Sequence, residues 1–398
     1  MRVVVPLTML LVASMAIGSL RAATPAHRPD PGTVVLTLPA AERVRATQTQ
    51  RMTMSQALEF AAALYDRGQQ QRDVREFGRA EQVLQPWTQP DVAASVADRA
   101  AVLVLQARLL QRRHRFADSL ELLDRALALD PSLGDARLLR AGVQLTRGAH
   151  QVAGNDCRAL LRQSELFAGS VCLAQVQAAT GSVAQALELL DSVLPRGPQD
   201  AMSSGAAAQL GWALAVRAEL AQLQGDLTGA QTDLQRAIEL DPAAESARVA
   251  LADVLLATGK AQEVSRWLDL PQPSPAMLLR ELQAFDQSGP LTSAGAERAK
   301  WLRAALDSVL ALDAARGEHV HLREQAEAAL LLDQQPCRAR DLAMRNFELQ
   351  RERPDIQLLA HAAQQCGEPT DLTPLREWLR QSGFRDERTE RWLTELSA

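Results

Sequence analysis

Two stretches of the chain share one pattern, and this pattern constrains the fold more than any other feature. The stretches 115–131 and 226–242 both have the apolar spacing of an amphipathic helix, and both end in Ala-x-x-Leu-Asp-Pro. Pro131 and Pro242 cannot continue a helix, so each stretch predicts a helix followed by a break. A helix that recurs with the same stop signal indicates stacked helical units instead of one compact core.

Both stretches belong to a longer repeat of about 34 residues. Units that begin at residues 100, 134, 167, 211 and 245 align the same residue types, with one insertion in the loop around 196–205. The eighth position is always alanine: Ala107, Ala141, Ala174, Ala218 and Ala252. The fifteenth is His114, Gly148, Gly181, Gly225 or Gly259, and the twentieth is Ser119, Ala153, Ala186, Ala230 or Val264.

This arrangement resembles the tetratricopeptide-repeat (TPR) family, in which each unit is a pair of antiparallel helices. In that family small residues let the two helices approach closely, and glycine permits the tight reversal between them. The resemblance implies an all-α, right-handed superhelical solenoid of antiparallel helix pairs, with five TPR-like repeats over 100–270. The chain departs from the family where aromatic residues are usual, since Leu103, Leu123 and Cys157 stand at such positions.

Degenerate helical repeats are expected on both sides of the five units. Residues 53–99 form one such repeat, and 276–398 form a C-terminal region of further helices. Pro354, Gly367 and Gly383 separate the later helices as stop signals. The apolar spacing predicts the C-terminal helices at 276–286, 294–315, 319–333, 337–350, 355–365, 372–382 and 385–397.

The beginning of the chain has the pattern of a secretory signal. Arg2 precedes an uncharged, largely apolar stretch, and small residues follow at Ala22 and Ala23. We therefore expect a cleaved signal peptide at 1–22, an extended lead-in at 23–52 and a periplasmic or secreted bacterial protein. An uncleaved membrane anchor is the alternative, although the apolar run is shorter than the roughly 20 residues that span a bilayer. No transmembrane segment is expected in the mature chain.

Three phrases resemble those of a family of exported bacterial TPR proteins of undefined function. They lie at 75–81, 319–324 and 346–355 and read Arg-Glu-Phe-Gly-Arg-Ala-Glu, His-Val-His-Leu-Arg-Glu and Asn-Phe-Glu-Leu-Gln-Arg-Glu-Arg-Pro-Asp. Members of that family are often encoded near a permease-like membrane protein. The resemblance implies a role at the cell envelope and identifies no ligand.

The chain has four cysteines, and their spacing is symmetric about two expected helix turns. Cys157 and Cys172 are equidistant from a turn near 164, and Cys337 and Cys366 are equidistant from a turn near 351. Antiparallel neighbours place the two sulfur atoms of each pair at one height, so an oxidising compartment allows Cys157–Cys172 and Cys337–Cys366 disulfides. The alternative is four buried thiols that act as small apolar residues.

Signatures of nucleotide-binding proteins, serine hydrolases and zinc proteases are missing from the sequence. His321 and Glu324 are three residues apart and could share a metal on one helix face, whereas His319 would point away from His321. A packed or capping role is the favoured interpretation of this cluster. The sequence therefore predicts no metal site, no cofactor and no enzymatic activity.

The TPR resemblance also implies a binding surface, because the first helix of each family unit lines a concave groove. The first unit is basic there and the fourth and fifth are acidic, so a charge gradient would orient an extended or helical peptide. Solvated side chains without a ligand are the alternative for each position. The family's ligand-contacting positions include Arg108, Gln111, Arg112, Gln175, Trp212, Glu219, Gln222 and Asp253.

The expected function is a non-catalytic protein–protein interaction scaffold of the cell envelope that binds a protein or peptide in this groove. An accessory or assembly factor for an envelope enzyme or membrane transporter, including a metal-related one, is the alternative. An enzyme is the least favoured interpretation. Nucleic acid is disfavoured as a partner because the net charge is −5 and no dense basic run occurs. Chaperone tails are disfavoured because Val104, Arg108 and Leu139 do not match the family's carboxylate clamp.

Overall fold

The computed structural model describes residues 52–88, 95–195, 203–289, 292–316, 320–368 and 370–396, and every regular element in these ranges is helical. The predicted signal peptide at 1–22, the lead-in before residue 52 and the loop at 196–202 lie outside the described residues. Within the described ranges, no helix combines the length and the apolar content that a membrane crossing requires.

The helices follow one another as antiparallel pairs. The predicted degenerate repeat at 53–99 contains α1 (Met54–Gln71), α2 (Val74–Leu84) and the start of α3 (Val96–Arg112). The rest of the region up to residue 270 contains α4 (Phe116–Leu129), α5 (Gly134–Thr146), α6 (His150–Arg162), α7 (Leu166–Ala179), α8 (Val183–Val193), α9 (Ser204–Leu223), α10 (Leu227–Leu240), α11 (Glu245–Ala257) and α12 (Val264–Leu268).

The same arrangement continues through the C-terminal region. Its helices are α13 (Pro275–Gln287), α14 (Ser293–Arg316), α15 (Leu322–Glu327), α16 (Pro336–Leu349), α17 (Arg353–Cys366), α18 (Thr373–Ser382) and α19 (Glu387–Glu395). They begin and end close to the predicted positions, with one exception. The predicted helix at 319–333 consists of α15 and a π turn, Ala328–Leu332, in which the Asp333 N–H donates to the Ala328 carbonyl at 3.0 Å.

Alternate helices form two layers. Helix α1 packs on α3 and α3 packs on α5, and this relation recurs up to α9 and again from α11 to α19. The odd-numbered helices therefore form one layer, and we call its free side the inner face. The fold is an all-α, right-handed superhelical solenoid of antiparallel helix pairs, which confirms the predicted fold class.

The repeat positions identified in the sequence are buried between helices. At the twentieth position, Ser119 donates a 2.9 Å hydrogen bond to the Ala107 carbonyl, so its hydroxyl is satisfied inside the core. Small side chains at these positions allow the two helices of each hairpin to pack closely. The five residues at the eighth position are all fully buried: Ala107, Ala141, Ala174, Ala218 and Ala252.

The reversal within each hairpin uses a left-handed backbone. Gly148, Gly181, Gly225 and Gly259 have φ angles of 72°, 82°, 82° and 71°. His114 adopts the same conformation with a φ of 54°, which costs a residue with a Cβ about 1 kcal/mol. The first hairpin therefore accepts strain that glycine avoids in the other four.

Two of the five central hairpins carry an ion pair that the repeat pattern did not predict. Arg140 donates to both oxygens of Asp156 at 2.8 and 2.7 Å, and this pair joins α5 to α6. Arg217 donates to both oxygens of Asp233 at 2.7 and 2.6 Å, and this pair joins α9 to α10. Both carboxylates are buried, and bidentate contacts of this kind are stronger than single hydrogen bonds.

Both cysteine pairs are disulfide-bonded. Cys157 on α6 is joined to Cys172 on α7 with a Cα–Cα distance of 5.4 Å, and Cys337 on α16 is joined to Cys366 on α17 at 4.7 Å. Each bond links two consecutive antiparallel helices, which is the geometry that the symmetric spacing predicts. A disulfide of this kind restricts the unfolded chain and thereby stabilises the folded one.

Candidate functional site

The C-terminal helices contact the turns of repeats that lie far away in sequence. The N–H of Arg351 donates to the Thr146 carbonyl at 2.7 Å, and the N–H of Arg385 donates to the Ala179 carbonyl at 3.2 Å. Arg353 Nη2 donates to the Ala178 carbonyl at 2.8 Å. We call these three hydrogen bonds the closing contacts. They bond carbonyl groups in the last turns of α5 and α7, where a helix leaves acceptors without partners of its own.

Two glycine turns allow this close approach. A Cβ atom added at Gly148 would lie 2.6 Å from the ring of Trp378, and one added at Gly181 would lie 3.1 Å from Arg385. Next to Gly148, the ring of His150 meets Trp378 edge-on at 5.8 Å and places Nδ1 3.3 Å from the Ser382 carbonyl oxygen. The two glycines therefore supply a left-handed backbone and also the space that the C-terminal helices occupy.

A partly buried ion network lies beside the closing contacts; within it, Asp355 is buried and Glu352 is 43% exposed. Arg323 donates to both oxygens of Asp355 at 2.6 and 2.8 Å and to Glu352 at 2.5 Å. Asp355 also accepts from Asn346 at 2.7 Å and from the Glu352 N–H at 2.8 Å, so it caps the start of α17. Thr146 on α5 donates to Glu352 at 3.1 Å. Burial opposes the charge of Arg323, but these carboxylates hold its pKa well above the ordinary value.

His321 lies between two carboxylates at the start of α15. Its Nε2 is 3.7 Å from Asp313 and its Nδ1 is 3.7 Å from Glu324. Burial alone would lower the pKa of His321, but the nearby carboxylate of Glu324 and the charges of Asp313 and Glu245 raise it. Burial likewise opposes the charge of Glu324, yet His321 helps to lower the pKa of Glu324 to about 2. His321 can form an ion pair with either carboxylate when it is protonated. His319 lies outside the described residues.

His114 has the opposite electrostatic character. Burial lowers the pKa of His114 to about 4. The positive charges of Arg323 and His321 also act to lower it, whereas the negative charges of Glu324 and Glu352 act to raise it. Its ring stacks on Phe116 with 5.2 Å between centroids. His114 is therefore neutral at pH 7, and the charged groups of α15 act on it electrostatically.

The eight predicted groove residues all lie on odd-numbered helices, on α3, α7, α9 and α11. Arg108 is 3.5 Å from the exposed carboxylate of Asp135. Gln111 and Gln175 are partly buried, and their side chains form no hydrogen bond within the described part of the chain. Gln111 and Gln175 therefore have polar groups without a partner in the described residues, and Arg108 has one long contact with an exposed carboxylate.

The other predicted groove residues form more contacts within the chain. Arg112 stacks on Phe77 at 4.0 Å and donates to Gln69 at 2.5 Å, so it holds α3 to the first hairpin. Trp212 packs against the central core, and Gln222 reaches a carbonyl of its own helix at 3.4 Å.

Glu219 lies next to the C-terminal helices. Burial raises the pKa of Glu219; the charge of Arg353 opposes this effect, and the charge of Glu352 adds to it. Both neighbours flank the closing contacts, so this part of the inner face is covered by the chain itself.

A cleft of about 350 Å³ opens where α11, α13 and the π turn meet. Helix α11 contributes Asp253, Leu256 and Ala257, α13 contributes Gln283, Asp286 and Gln287, and the π turn contributes Leu331 and Leu332. We call it the acidic cleft, because two carboxylates and no basic side chain line it.

An ion triad lies beneath the acidic cleft. Arg280 donates to Asp253 at 2.9 Å and to Glu327 at 2.5 and 3.1 Å, and both Arg280 and Glu327 are buried. Burial would lower the pKa of Arg280, but the two carboxylates raise it above the ordinary value. The triad joins α11, α13 and α15, so it fixes the base of the cleft.

One group of potential metal ligands occurs in the described part of the chain. The ligand atoms of Cys337, Cys366 and Glu368 lie within 4.8 Å of one another. The two sulfur atoms are bonded to each other, whereas a metal requires thiolates. Arg340 is 3.7 Å from the Glu368 carboxylate, which places a positive charge at the group.

Comparison with known proteins relates these hairpins to one family. The family model described as "Tetratricopeptide repeat" matches residues 104–166 and 215–263. These segments include α5, α6, α10 and α11, and they fall within the region where the sequence predicts five repeats. The search among curated proteins finds no match.

Solved structures of TPR proteins are similar to the chain at low identity. A thermophilic TPR protein of Thermus thermophilus is 21% identical, with a TM-score of 0.36, over 53% of this chain and 98% of that one. A tetratricopeptide-repeat protein of Parabacteroides merdae is 14% identical, with a TM-score of 0.37, over 77% of this chain and 99% of that one. The repeat model and the antiparallel hairpins described above both indicate tetratricopeptide repeats in these two segments.

Proposed function

Because the chain is a tetratricopeptide-repeat protein, we propose that it is a non-catalytic scaffold of the cell envelope that binds a protein or peptide on its inner face. Repeat solenoids of this kind use stacked helices as an extended interaction surface. The observation that carries the proposal is the set of polar groups on α3 and α7. Arg108, Gln111 and Gln175 lie on helices of the inner layer and are partly buried; the two glutamines form no side-chain hydrogen bond in the described residues, and Arg108 has one long contact with Asp135.

The envelope location is supported by two independent features. The first residues have the pattern of a secretory signal, and both cysteine pairs are bonded, which suits an oxidising compartment. Cell fractionation tests this part of the proposal. The full chain is expected with periplasmic marker proteins, and a variant that lacks residues 2–22 is expected to stay in the cytoplasm. Equal cytoplasmic retention of both chains would contradict the envelope location.

Site-specific crosslinking tests the binding surface. A photoreactive amino acid in place of Gln175 on α7 should crosslink one partner in intact cells, and the same replacement at Arg125 on the outer helix α4 should not. Arg108→Glu should reduce recovery of that partner, since the charge change lies on the inner face. Arg125→Glu is the matched control, because Arg125 is exposed and undergoes the same charge change. Equal recovery with both variants would remove the inner face as the binding surface.

A further inference from the structure

The acidic cleft differs from the part of the inner face near the closing contacts. The carbonyls of Thr146 and Ala178 are bonded to the C-terminal helices there, whereas no described segment of the chain fills the cleft. Leu256 and Leu332 give the cleft apolar lining, and Leu331 at its edge is 44% exposed. A leucine exposed to this degree beside a concave surface suits contact with another apolar side chain.

The electrostatics of the cleft favour a cation. Asp286 is exposed and forms no ion pair within the described part of the chain, and Asp253 faces the same space. The positive charge of Arg280 beneath is shared between Asp253 and Glu327. In addition, α11 ends at Ala257 and α13 ends at Gln287, so the negative ends of two helix dipoles point to the cleft.

The π turn at Ala328–Leu332 shapes this wall of the cleft. Its hydrogen bond runs from the Asp333 N–H to the carbonyl five residues earlier, which widens the last turn of α15. Turns of this type are rare in proteins and occur often at functional sites. Here the π turn presents Leu331 and Leu332 to the cleft, opposite the helix α11 that carries Asp253.

We propose that the acidic cleft binds a segment of the partner protein in which an arginine or lysine stands next to an apolar residue. The basic side chain pairs with Asp286 and Asp253, and the apolar side chain packs on Leu331 and Leu256. The volume of about 350 Å³ is at the lower end of ligand pockets, and it suits one or two side chains instead of a folded domain. The inference rests on the proposed function, because it assigns a chemistry to the partner of the inner face.

Peptide binding to the full chain tests the inference without knowledge of the partner. The probe is a fluorescein-labelled peptide in which leucine and arginine alternate, and the comparison probe has glutamate at every arginine. Fluorescence anisotropy should detect the arginine peptide and not the glutamate peptide. Asp286→Lys should weaken binding of the arginine peptide roughly tenfold, since it replaces an attraction by a repulsion. Leu331→Ser should weaken it by a smaller factor.

The matched control is Glu297→Lys on α14, which makes the same charge change at an exposed carboxylate outside the cleft. Its affinity for the arginine peptide should equal that of the unmodified chain. Three results would overturn the inference: equal affinity for both peptides, no effect of Asp286→Lys, or no binding of the arginine peptide at millimolar concentration. The crosslinking at Gln175 does not depend on the cleft, so failure of the cleft and failure of the proposed function are distinguishable.

Discussion

The five central hairpins and the C-terminal helices stack in the same way, but the repeat pattern of small residues and glycines is clear only in the central hairpins, two of which add an Arg–Asp pair. In the central hairpins small residues are buried at the helix contacts, as at Ala141 and Ala153, and glycines make the turns. In the C-terminal region, buried charges around Arg323 and Asp355 and a cluster of aromatic rings that includes Phe347 and Trp378 hold the helices. One architecture therefore tolerates two solutions to the same packing problem.

The difference shows which stabilising interactions can be recognised from a sequence repeat. A short side chain at a helix crossing is required in every unit, so it recurs at a fixed spacing and is visible in the sequence. The network around Arg323 occurs at one place in the chain, so it leaves no periodic signal in the sequence. The C-terminal region is thus the part of the solenoid in which single substitutions should cost most, because removal of one partner leaves other buried charges without theirs.

The largest expected effect is at the centre of the C-terminal network. Asp355→Ala should lower the free energy of unfolding by about 3–5 kcal/mol, because Arg323 and Asn346 lose a buried acceptor. Asp156→Ala in a central hairpin should cost less. Arg140 keeps Asp124 at 2.6 Å just as Arg323 keeps Glu352, but Asp156 is not the acceptor of a buried amide such as Asn346. Chemical denaturation monitored by circular dichroism measures both. Equal losses would show that the two regions do not differ in this respect.

Loss of either disulfide should have the next largest effect, and here the two regions should behave alike. The bonds close loops with sequence separations of 15 and 29, and loop entropy predicts a loss of roughly 3 kcal/mol for each. The double variants Cys157→Ala/Cys172→Ala and Cys337→Ala/Cys366→Ala make the comparison by denaturant midpoint. A loss confined to one pair would indicate that the other bond contributes little.

Two glycine substitutions distinguish the cost of backbone strain in a turn from the cost of disturbing the packing beside the closing contacts. Gly225→Ala should cost about 1 kcal/mol, because its φ is 82° and the space around it is open. Gly148→Ala should cost about 2 kcal/mol, since the same backbone strain is joined by a collision with Trp378. Thermal denaturation measures both variants. Identical shifts in melting temperature would mean that Trp378 moves aside without cost.

The smallest expected effect depends on pH and concerns the buried ring of His114. Burial lowers the pKa of His114 from 6.5 to about 4, so its contribution to stability is present above pH 6.5 and is lost as the pH falls towards 4. At pH 5.5 the loss should be about 1 kcal/mol relative to pH 7.5. Asn accepts the left-handed backbone, so His114→Asn should remove that loss.

Denaturation of the His114→Asn variant and the unmodified chain at both pH values checks this expectation. The quantity to compare is the change between the two pH values within each protein, because loss of the ring on Phe116 alters both values equally. The raised pKa of His321 acts in the opposite direction in both chains, since its contribution is present below pH 6.5 and is lost as the pH rises. An unchanged pH response in the variant would rule out His114 as its source.

Much of the fold was predictable from short-range patterns. Helix periodicity, the alanines at the eighth position and the glycines at the fifteenth act within one hairpin, and the structure places all of them as expected. The cysteine pairs were predictable for the same reason, because each spans one turn between neighbouring helices. The capping box of Glu352 and Asp355 and its pairing with Arg323 were not predicted, because Arg323 is about 30 positions away and belongs to no repeat.

The candidate site shows the limit of that reasoning. The sequence placed Glu219 and Asp253 on the inner face from their repeat positions, and both lie on inner-layer helices. Their neighbours, Arg353 and Arg280, come from helices without a recognisable repeat. Position within a hairpin determines which way a side chain points, but the opposite surface is supplied by another part of the chain.

The sequence by itself determined the hairpins, their order and their stacking, because these follow from helix periodicity, small contact residues and turns that act over at most one unit. Only the tertiary structure decided that Arg351, Arg353 and Arg385 would bond the turns of much earlier repeats and that the acidic cleft would stay open. The physical reason is that each hairpin is slightly rotated relative to the one before it. These rotations add up along the solenoid and bring repeats that are distant in sequence close together.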